Sequence, residues 1–510
     1  MRSHSPIRGS SGRARRLTFA GIVAAVVAQV AGCVTDPNPA ALPGASNASS
    51  PDGSGPDAYA TDADRPDRRD GSAPDGDDGD APDGAASDGG ASTPESGPSP
   101  TPLPTRVACS FKVTTPTVNN LPPPNSVTNA ALDAAGRIAI AGLLELPFDL
   151  GGGHVLVPPS VPPGVPSNSN FVAVFDSDCH LVWAKAVAYV ADLAFDSGGN
   201  LWVLDALPGA ALTKYDPAGN VLFQTDGTDV RMTGIAVDGH DSVYVTGQHQ
   251  PTAEYAGATL PTTTAPEGFV MKLTPAGVSV WVRDYASAAD GCLSWVGPVV
   301  VTPSGDLAIL GYAAETSTGA GCHFTLESPP AKTSTLEFVA RLSASDGAPL
   351  WVRAWADGSF ATLGQVCATA SSDVLITGSA GYVDLGSGPL PVSGSDFIAR
   401  IAPSGALRGG ERLPPPAVNT TKGTRLQCGA GAGERAILAG FPGASSGYVQ
   451  ILEADGSGAW TYPSEPATVD PPGVALGPHG DVAIAGSEFE LPTNPHDLPT
   501  PVLVVTRYTQ

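Results

Sequence analysis

Positive charge is scarce in this 510-residue chain, where 26 Lys and Arg stand against 50 Asp and Glu and leave a net charge of −24. Proteins that bind nucleic acid need a basic surface, so this balance argues against a nucleic-acid partner. Catalytic signatures are scarce too, since the chain has neither a P-loop nor a Ser-x-Asp-x-Gly-x-Thr-Trp box. We therefore expect no cofactor and no enzymatic activity.

The apolar run near the N-terminus is too short to span a bilayer, which takes about 20 residues. It covers residues 17–30, follows five arginines and ends in Val30-Ala31-Gly32-Cys33. A basic start and a short apolar run are typical of a signal peptide. The ending resembles the lipobox of bacterial lipoproteins, in which the Cys thiol takes a diacylglycerol, with fatty acyl chains such as palmitate, before cleavage in front of the Cys.

The lipobox resemblance implies a signal peptide over residues 1–32, lipidation of Cys33 and attachment to a membrane. Val34 follows the cysteine, where an Asp would retain lipoproteins of enteric bacteria in the inner membrane. The resemblance thus favours an exported protein at the outer membrane or cell surface. An ordinary signal peptide with an incidental Cys33, or an uncleaved anchor, are the alternatives.

Bulky apolar residues are nearly absent from residues 34–105, which consist mostly of Pro, Gly, Ala, Ser and Asp. Such a segment cannot bury enough surface to offset its chain entropy, so disorder is expected. The lipidated Cys33 and this acidic linker form the second region, residues 33–105. A calcium site built from the Asp-Gly pairs is disfavoured because their spacing matches no calcium loop.

One short pattern recurs through the remainder of the chain. In Phe269–Trp281 (FVMKLTPAGVSVW), an alternating apolar run, a Pro/Gly turn and a second run follow one another. Related stretches are Phe171–Trp183, Phe338–Trp351, Phe397–Leu407 and Tyr448–Trp460. Alternation with period two predicts strands, and the Gly- and Asp-rich turns predict hairpins. Four strands per repeat, here named a to d, predict the blades of a β-propeller.

The last repeat lacks its strand d, whereas Val107–Thr114 precedes the first repeat without a place in it. Pairing the two would close the ring without a free sheet edge. Phe111 would then take the place of the aromatic that strand d normally carries. We predict an all-β fold: a single propeller of seven four-stranded blades over residues 106–510, closed by an N-terminal strand. Six or eight blades are the alternative.

The repeat pattern resembles the SBBP-type β-propeller repeats of bacterial surface proteins over about residues 107–510. Residues 193–223 resemble NHL-type repeats, with Asp205 in place of the usual Gly, and the Trp of strand d resembles that of PQQ-type repeats. These families share an architecture rather than one activity, so the resemblance implies a scaffold.

Tryptophans at one register of strand d are expected to pack between blades, although a carbohydrate-stacking surface is the alternative. They are Trp183, Trp281, Trp351 and Trp460. Six cysteines remain after Cys33, an even number that predicts three disulfides in an exported protein. Their positions in the repeats suggest the pairs Cys292–Cys322, Cys367–Cys428 and Cys109–Cys179. Zinc binding by these cysteines is disfavoured because none shows CxxC spacing.

The connections between strands b and c are long and irregular, whereas the turns at the opposite sheet end are short. Rigid scaffolds carry function on such loops, so the b–c face is the candidate ligand face. Trp295 and Trp355 are placed in its d–a connections. His154, His249, His323 and His496 are placed in its b–c loops. A metal centre of four histidines is disfavoured, because no His-x-His spacing supports it.

The leading hypothesis is a monomeric, lipid-anchored binding scaffold whose ligand is a protein or a glycan. Two alternatives stay open. A propeller enzyme, a lyase or hydrolase, would use carboxylates or histidines of the channel or loop face, and a structural envelope protein would have no diffusible ligand.

Overall fold

The protein is described by a computed structural model. The described residues are 106–115, 125–151, 153–158, 169–205, 211–261, 263, 265–285, 292–315, 335–356, 362–380, 395–412, 425–428, 435–440, 448–452, 458–461, 473–477, 479–490 and 500–509. The expected signal peptide, Cys33 and the acidic linker lie outside these residues. So do Cys322, His323 and His496.

The described chain is built of strands. The first sixteen are β1 (Arg106–Thr114), β2 (Val127–Leu132), β3 (Ile138–Leu143), β4 (Phe148–Asp149), β5 (Val155–Leu156), β6 (Asn170–Phe175), β7 (Leu181–Val187), β8 (Asp192–Phe195), β9 (Leu201–Leu204), β10 (Leu212–Tyr215), β11 (Val221–Thr225), β12 (Gly227–Val237), β13 (Val243–Tyr255), β14 (Ala258–Thr259), β15 (Glu267–Leu273) and β16 (Ser279–Asp284).

The second half continues the same pattern. Its strands are β17 (Cys292–Val301), β18 (Leu307–Glu315), β19 (Thr335–Leu342), β20 (Pro349–Ala356), β21 (Thr362–Ala368), β22 (Val374–Ala380), β23 (Ser395–Ile401), β24 (Leu407–Arg412), β25 (Arg425–Cys428), β26 (Ala436–Gly440), β27 (Tyr448–Leu452), β28 (Gly458–Thr461), β29 (Gly473–Leu476), β30 (Val482–Glu490) and β31 (Thr500–Thr509). Within the described residues, no helix is long and apolar enough to cross a membrane.

Seven antiparallel sheets each supply one blade with strands in the order a, b, c, d. Blades one to six are β2-β3-β6-β7, β8-β9-β10-β11, β12-β13-β15-β16, β17-β18-β19-β20, β21-β22-β23-β24 and β25-β26-β27-β28, and β14 adds to β13 in blade three. Blade seven is β29-β30-β31-β1, in which the N-terminal strand β1 pairs antiparallel with the C-terminal strand β31. The predicted seven blades and their closure are confirmed.

The blades form a closed ring, because the a strands contact one another in the circular order β2, β8, β12, β17, β21, β25, β29 and again β2. In the described residues the apolar core consists of seven clusters, and each lies between two neighbouring blades. Strands b and c in the middle of each sheet are therefore buried on both faces. For this reason runs such as Ile138–Leu143 and Asn170–Phe175 are apolar at almost every position.

An aromatic side chain on strand d packs against the glycine of the c–d turn in the next blade. Trp183 covers Gly219, Phe223 covers Gly277, Trp281 covers Gly347 and Trp351 covers Gly405. Each of these glycines has a positive φ, between 74° and 85°. A side chain there would be strained and would also collide with the ring. The expected packing role of the tryptophans is thus confirmed for Trp183, Trp281 and Trp351.

The seam between blades seven and one uses a disulfide in place of this contact. Cys109 of β1 faces Arg507, and a bulge precedes Cys109 as it precedes Trp281 in β16. Cys179 lies in the c–d turn of blade one with φ 61°, at the position that Gly219 occupies in blade two. The two cysteines are bonded, as predicted.

The register corrects the prediction for Phe111. Cys109, not Phe111, occupies the aromatic position of strand d, because the bulge shifts the register between Val107 and Cys109. Phe111 lies two residues further along and packs against Phe175 of blade one, with ring centroids 4.9 Å apart. It contributes to the same interface from a different level of the sheet.

A second disulfide, Cys367–Cys428, joins strands a of blades five and six and is also as predicted. These strands are the innermost of their sheets, so this bond lies close to the channel. The proposed bond between Cys292 and Cys322 falls outside the described side chains. Within the described residues, two disulfides thus connect neighbouring blades. One joins blades seven and one, and the other joins blades five and six.

We predict that Gly277→Ala lowers the free energy of unfolding by about 1–3 kcal/mol, because the new Cβ would lie 2.2 Å from the Phe223 ring at a φ of 78°. Gly239→Ala is the matched control, since no heavy atom lies within 4 Å of its Cβ position. Urea unfolding of both variants checks this. Equal effects of the two substitutions would contradict the assigned contact.

We predict that replacing Cys109 and Cys179 by alanine costs about 2–4 kcal/mol, because the bond constrains residues 70 positions apart. The pair Cys109→Trp with Cys179→Gly should recover part of this loss, since it restores the contact used between other blades. Thermal unfolding of the two double variants is the measurement. If the Trp and Gly pair is no more stable than the alanine pair, the assigned equivalence is wrong.

Candidate functional site

Three ionisable side chains converge at the loop end of blade three. His249 of β13 lies directly opposite Glu267 of β15, and Asp284 of β16 lies opposite Phe269. Because Glu267 and Phe269 are two residues apart, all of these side chains lie on one face of the sheet. Phe269 belongs to the core between blades two and three, so this face looks toward blade two. We name His249, Glu267 and Asp284 the His249 cluster.

The cluster is enclosed. His249 is 1% exposed and Glu267 8%, and the side chain of Asp284 is 14% exposed. The Phe269 ring meets the imidazole edge-on with centroids 5.7 Å apart. On the opposite side of β15, the Gly268 N–H donates to the Ser294 hydroxyl of blade four over 2.8 Å. The strands that carry the cluster are thus held from both sides.

The hydrogen bonds of His249 define its tautomer. Nδ1 lies 2.9 Å from the carbonyl oxygen of Gln250, and Nε2 lies 3.2 Å from Asp284 Oδ1. A carbonyl oxygen can only accept, so Nδ1 carries a proton and donates it. Nε2 therefore faces a carboxylate with either a second proton or its lone pair.

Burial and mutual repulsion act on the titration of the cluster. Burial, followed by the charge of Asp284, raises the pKa of Glu267 to about 7, although His249 partly offsets this. Burial alone would lower the pKa of His249. The hydrogen bonds to Asp284 and the Gln250 carbonyl and the nearby carboxylate charges outweigh it, so the pKa of His249 is raised. The site therefore favours a positive charge beside the imidazole.

In blades one and four, the same positions are filled without charge. The residues that correspond to His249, Glu267 and Asp284 are Leu144, Ser169 and Ala186 in blade one, and Ala313, Leu336 and Ala354 in blade four. Leu144 and Ala186 belong to the core between blades seven and one, and Ala313 and Ala354 belong to the core between blades three and four. Charged residues stand at some of these positions in two further blades, namely Arg412 in blade five and Glu488 and Lys112 in blade seven. Blade three differs from all four of these blades in combining a histidine with two carboxylates, and such a departure from the repeat is typical of a functional site.

The cluster is the one group of side chains in the described part of the chain whose composition and spacing suit a metal ion. Its ligand atoms all lie within 4.8 Å of one another. An imidazole and two carboxylates can bind a divalent cation or move a proton.

The structure corrects the positions of the predicted site residues. His249 lies in strand β13 and is buried, whereas a loop was expected, because β12 and β13 continue as a hairpin beyond the core of the blade. Trp295 lies in β17 and Trp355 in β20, not in d–a connections, because these strands too are longer than predicted. His154 is exposed in the turn between β4 and β5. Among the described residues, His154 is not one of the side chains that meet His249.

Trp295 pairs with Tyr312 across strands a and b of blade four. Their ring centroids are 5.8 Å apart and the rings are tilted by 38°. Both side chains are half-buried, so part of each ring remains exposed near the loop end of the sheet. The side chain of Trp355 is outside the described part.

Glu267 and Asp284 were missed by sequence reasoning. Glu267 was assigned to the loop before strand c, and Asp284 to the last position of strand d. The sequence contains one signal for Glu267, its position in the alternation of the strand. It stands two residues before Phe269, on the side of the strand that the alternation predicts to be buried. A carboxylate at a buried phase indicates a partner or a function.

The architecture is that of a seven-bladed β-propeller. No protein-family model matches the chain, and no curated protein is similar to it. Similar solved structures include the Dos1 propeller (9% identity, TM-score 0.40, covering 79% of this chain and 94% of that chain). BamB from Moraxella catarrhalis is 13% identical, with a TM-score of 0.35 and coverage of 75% of this chain and 85% of that chain. The C-terminal WD40 domain of Sif2 is 9% identical, with a TM-score of 0.37 and coverage of 78% of this chain and 98% of that chain. At such low scores they carry no argument about function.

Proposed function

We propose that this protein is an exported, lipid-anchored scaffold whose propeller binds a protein or glycan partner on its b–c face. The anchor would be Cys33, and the acidic linker would hold the propeller away from the membrane. The proposed location is the outer membrane or cell surface. The observation that supports the binding face is the difference between the two ends of the sheets.

The connections at one end of the sheets differ widely in length from blade to blade, whereas those at the other end are short throughout. The a–b connections are residues 133–137, 196–200, 238–242, 302–306, 369–373, 429–435 and 477–481. The b–c connections are residues 144–169, 205–211, 256–266, 316–334, 381–394, 441–447 and 491–499. Variable connections on a rigid scaffold are where proteins place their binding residues.

The Trp295–Tyr312 pair supplies a surface suited to binding at this face. Exposed aromatic rings provide large contact areas with few rotatable bonds, and they are enriched in protein interfaces and in sugar-binding sites. Both residues are on paired strands, so their geometry is held by the blade and not by a loop. We therefore assign them to the partner-binding surface.

The His249 cluster favours one alternative, a propeller enzyme that uses an acid and a base on the same face. A histidine and a carboxylic acid whose pKa values are both raised by their surroundings, beside a second carboxylate, are suitable for proton transfer. The burial of His249 and Glu267 argues for the scaffold, because a substrate would reach only Asp284 without rearrangement.

We predict that Cys33→Ala moves the protein from the membrane fraction to the soluble fraction, because a lipid anchor supplies its membrane affinity. Fractionation of a bacterial host that expresses each form is the measurement. On intact cells, added protease should also degrade the propeller of the anchored form. A propeller that stays protected on intact but not on permeabilised cells would contradict surface exposure while leaving the anchor valid.

We predict that Trp295→Ala weakens binding to the partner at least tenfold, which corresponds to about 1.4 kcal/mol. The full-length protein would be tested against glycan arrays and purified envelope proteins, which separates the two partner classes. The control is Val278→Thr, an exposed position beside the short c–d turn of blade three. Equal binding by both variants, with equal thermal stability, would contradict the assigned face.

A further inference from the structure

We infer that the His249 cluster is a binding site for one divalent transition-metal cation, and that zinc is the ion its ligands fit best. This inference is independent of the proposed partner binding. It follows from the positions of the three side chains, from the hydrogen bond that orients the imidazole and from the burial of the Glu267 carboxylate.

The three ligands come from three adjacent strands of one sheet. Strand b supplies His249, strand c Glu267 and strand d Asp284. The backbone hydrogen bonds between these strands hold the Cα positions, so the site exists before any ion arrives. A metal site on strands is more precisely positioned than one on loops.

The imidazole is oriented as a metal ligand. The Nδ1 proton is donated to the Gln250 carbonyl, which leaves Nε2 directed at Asp284. Histidines that bind metals commonly donate their other ring N–H to a backbone carbonyl, which sets the tautomer and the ring orientation. In a neutral His249, the Nε2 lone pair would face a carboxylate oxygen at 3.2 Å. A cation between the two atoms removes this repulsion.

The environment of Glu267 is a second observation that indicates a bound cation. Glu267 is 8% exposed, and its carboxylate makes no hydrogen bond within the described residues. A buried carboxylate without a partner is costly. The guanidinium group of Arg283, next to Asp284 in the chain, is not directed at Glu267, because its Nε–H donates to the Asp346 carbonyl over 2.8 Å. With both carboxylates ionised, a proton on Nε2 leaves the cluster with one net negative charge, whereas a divalent ion with a neutral imidazole leaves none.

The ligand types favour zinc over calcium or magnesium. Calcium and magnesium take six or more oxygen ligands and rarely an imidazole, whereas zinc binds imidazole and carboxylate together. Zinc–ligand bonds of about 2.0–2.2 Å place two ligand atoms of a tetrahedron about 3.4 Å apart. The separation of Nε2 and Oδ1, 3.2 Å, is close to this value. Three protein ligands would leave a fourth position for water or another ligand.

Metal binding can be tested on the full-length protein, purified in detergent and treated with a chelator. Zinc alone is added, uptake is measured by equilibrium dialysis, and stability is measured by thermal unfolding. We expect one zinc per chain and a higher unfolding temperature. Glu267→Gln and Asp284→Asn should each lower zinc affinity at least tenfold and reduce the thermal shift.

Two control variants retain the three proposed ligands and change other groups that could bind a metal. Glu254→Gln changes an exposed carboxylate on the same strand as His249, and His154→Ala changes an exposed histidine of blade one. Both should bind zinc as the unchanged protein does. Without metal, Glu267→Gln should be at least as stable as the unchanged protein, because it removes an unpartnered carboxylate. This comparison separates loss of a ligand from loss of the fold.

Several results would overturn the inference. Zinc uptake that Glu267→Gln and Asp284→Asn do not weaken would place the ion elsewhere. A larger thermal shift with calcium than with zinc would make the ion class wrong. If the protein takes up no zinc, the metal site is wrong, and a protonated imidazole supplies the positive charge of the cluster instead. If the variants fail to fold, X-ray absorption of the zinc-loaded protein decides, because one imidazole with oxygen ligands is expected and sulfur ligands would contradict the site.

Discussion

The packing of a strand d aromatic onto the turn glycine of the next blade is the contact on which the ring depends. A four-stranded sheet cannot bury both of its faces alone, so each blade is stable only between two neighbours. The positive φ of Gly277 and its lack of a side chain allow Phe223 to approach the turn backbone closely. The contact recurs at the four interfaces between blade one and blade five, where it determines how closely each blade approaches the next.

Closure of the ring requires a different solution, because the last blade combines the two ends of the folded chain. Strand β1 must find β31 across nearly the whole domain, and such a long loop has a large entropic cost of closure. Cys109 and Cys179 take over the two positions of the aromatic and the glycine and join them covalently. The interface between blades seven and one, whose closure has the largest cost in chain entropy, is thus joined by a covalent bond.

Blade three shows how the scaffold accommodates chemistry. Its framework residues follow the repeat, and the aromatic Trp281 packs onto blade four as expected. At the loop end, the packing residues used by blades one and four are replaced by the His249 cluster. The exchange does not disturb the sheet, because His249 and Glu267 still form a directly opposed pair in the β ladder. A rigid fold can therefore carry a charged, buried site without losing its shape.

The sequence by itself determined the architecture. Alternating runs and turn glycines are local signals, and their repetition was sufficient to predict seven blades, the closing strand and two disulfides. The tertiary structure decided the site. Three features depend on pairing between strands. They are the extension of β13, the bulge that places Cys109 rather than Phe111 in the aromatic position, and the contact of His249 with Glu267 and Asp284. Periodicity indicates which residues share a face. It does not indicate where pairing ends, and therefore it cannot show which distant side chains become neighbours.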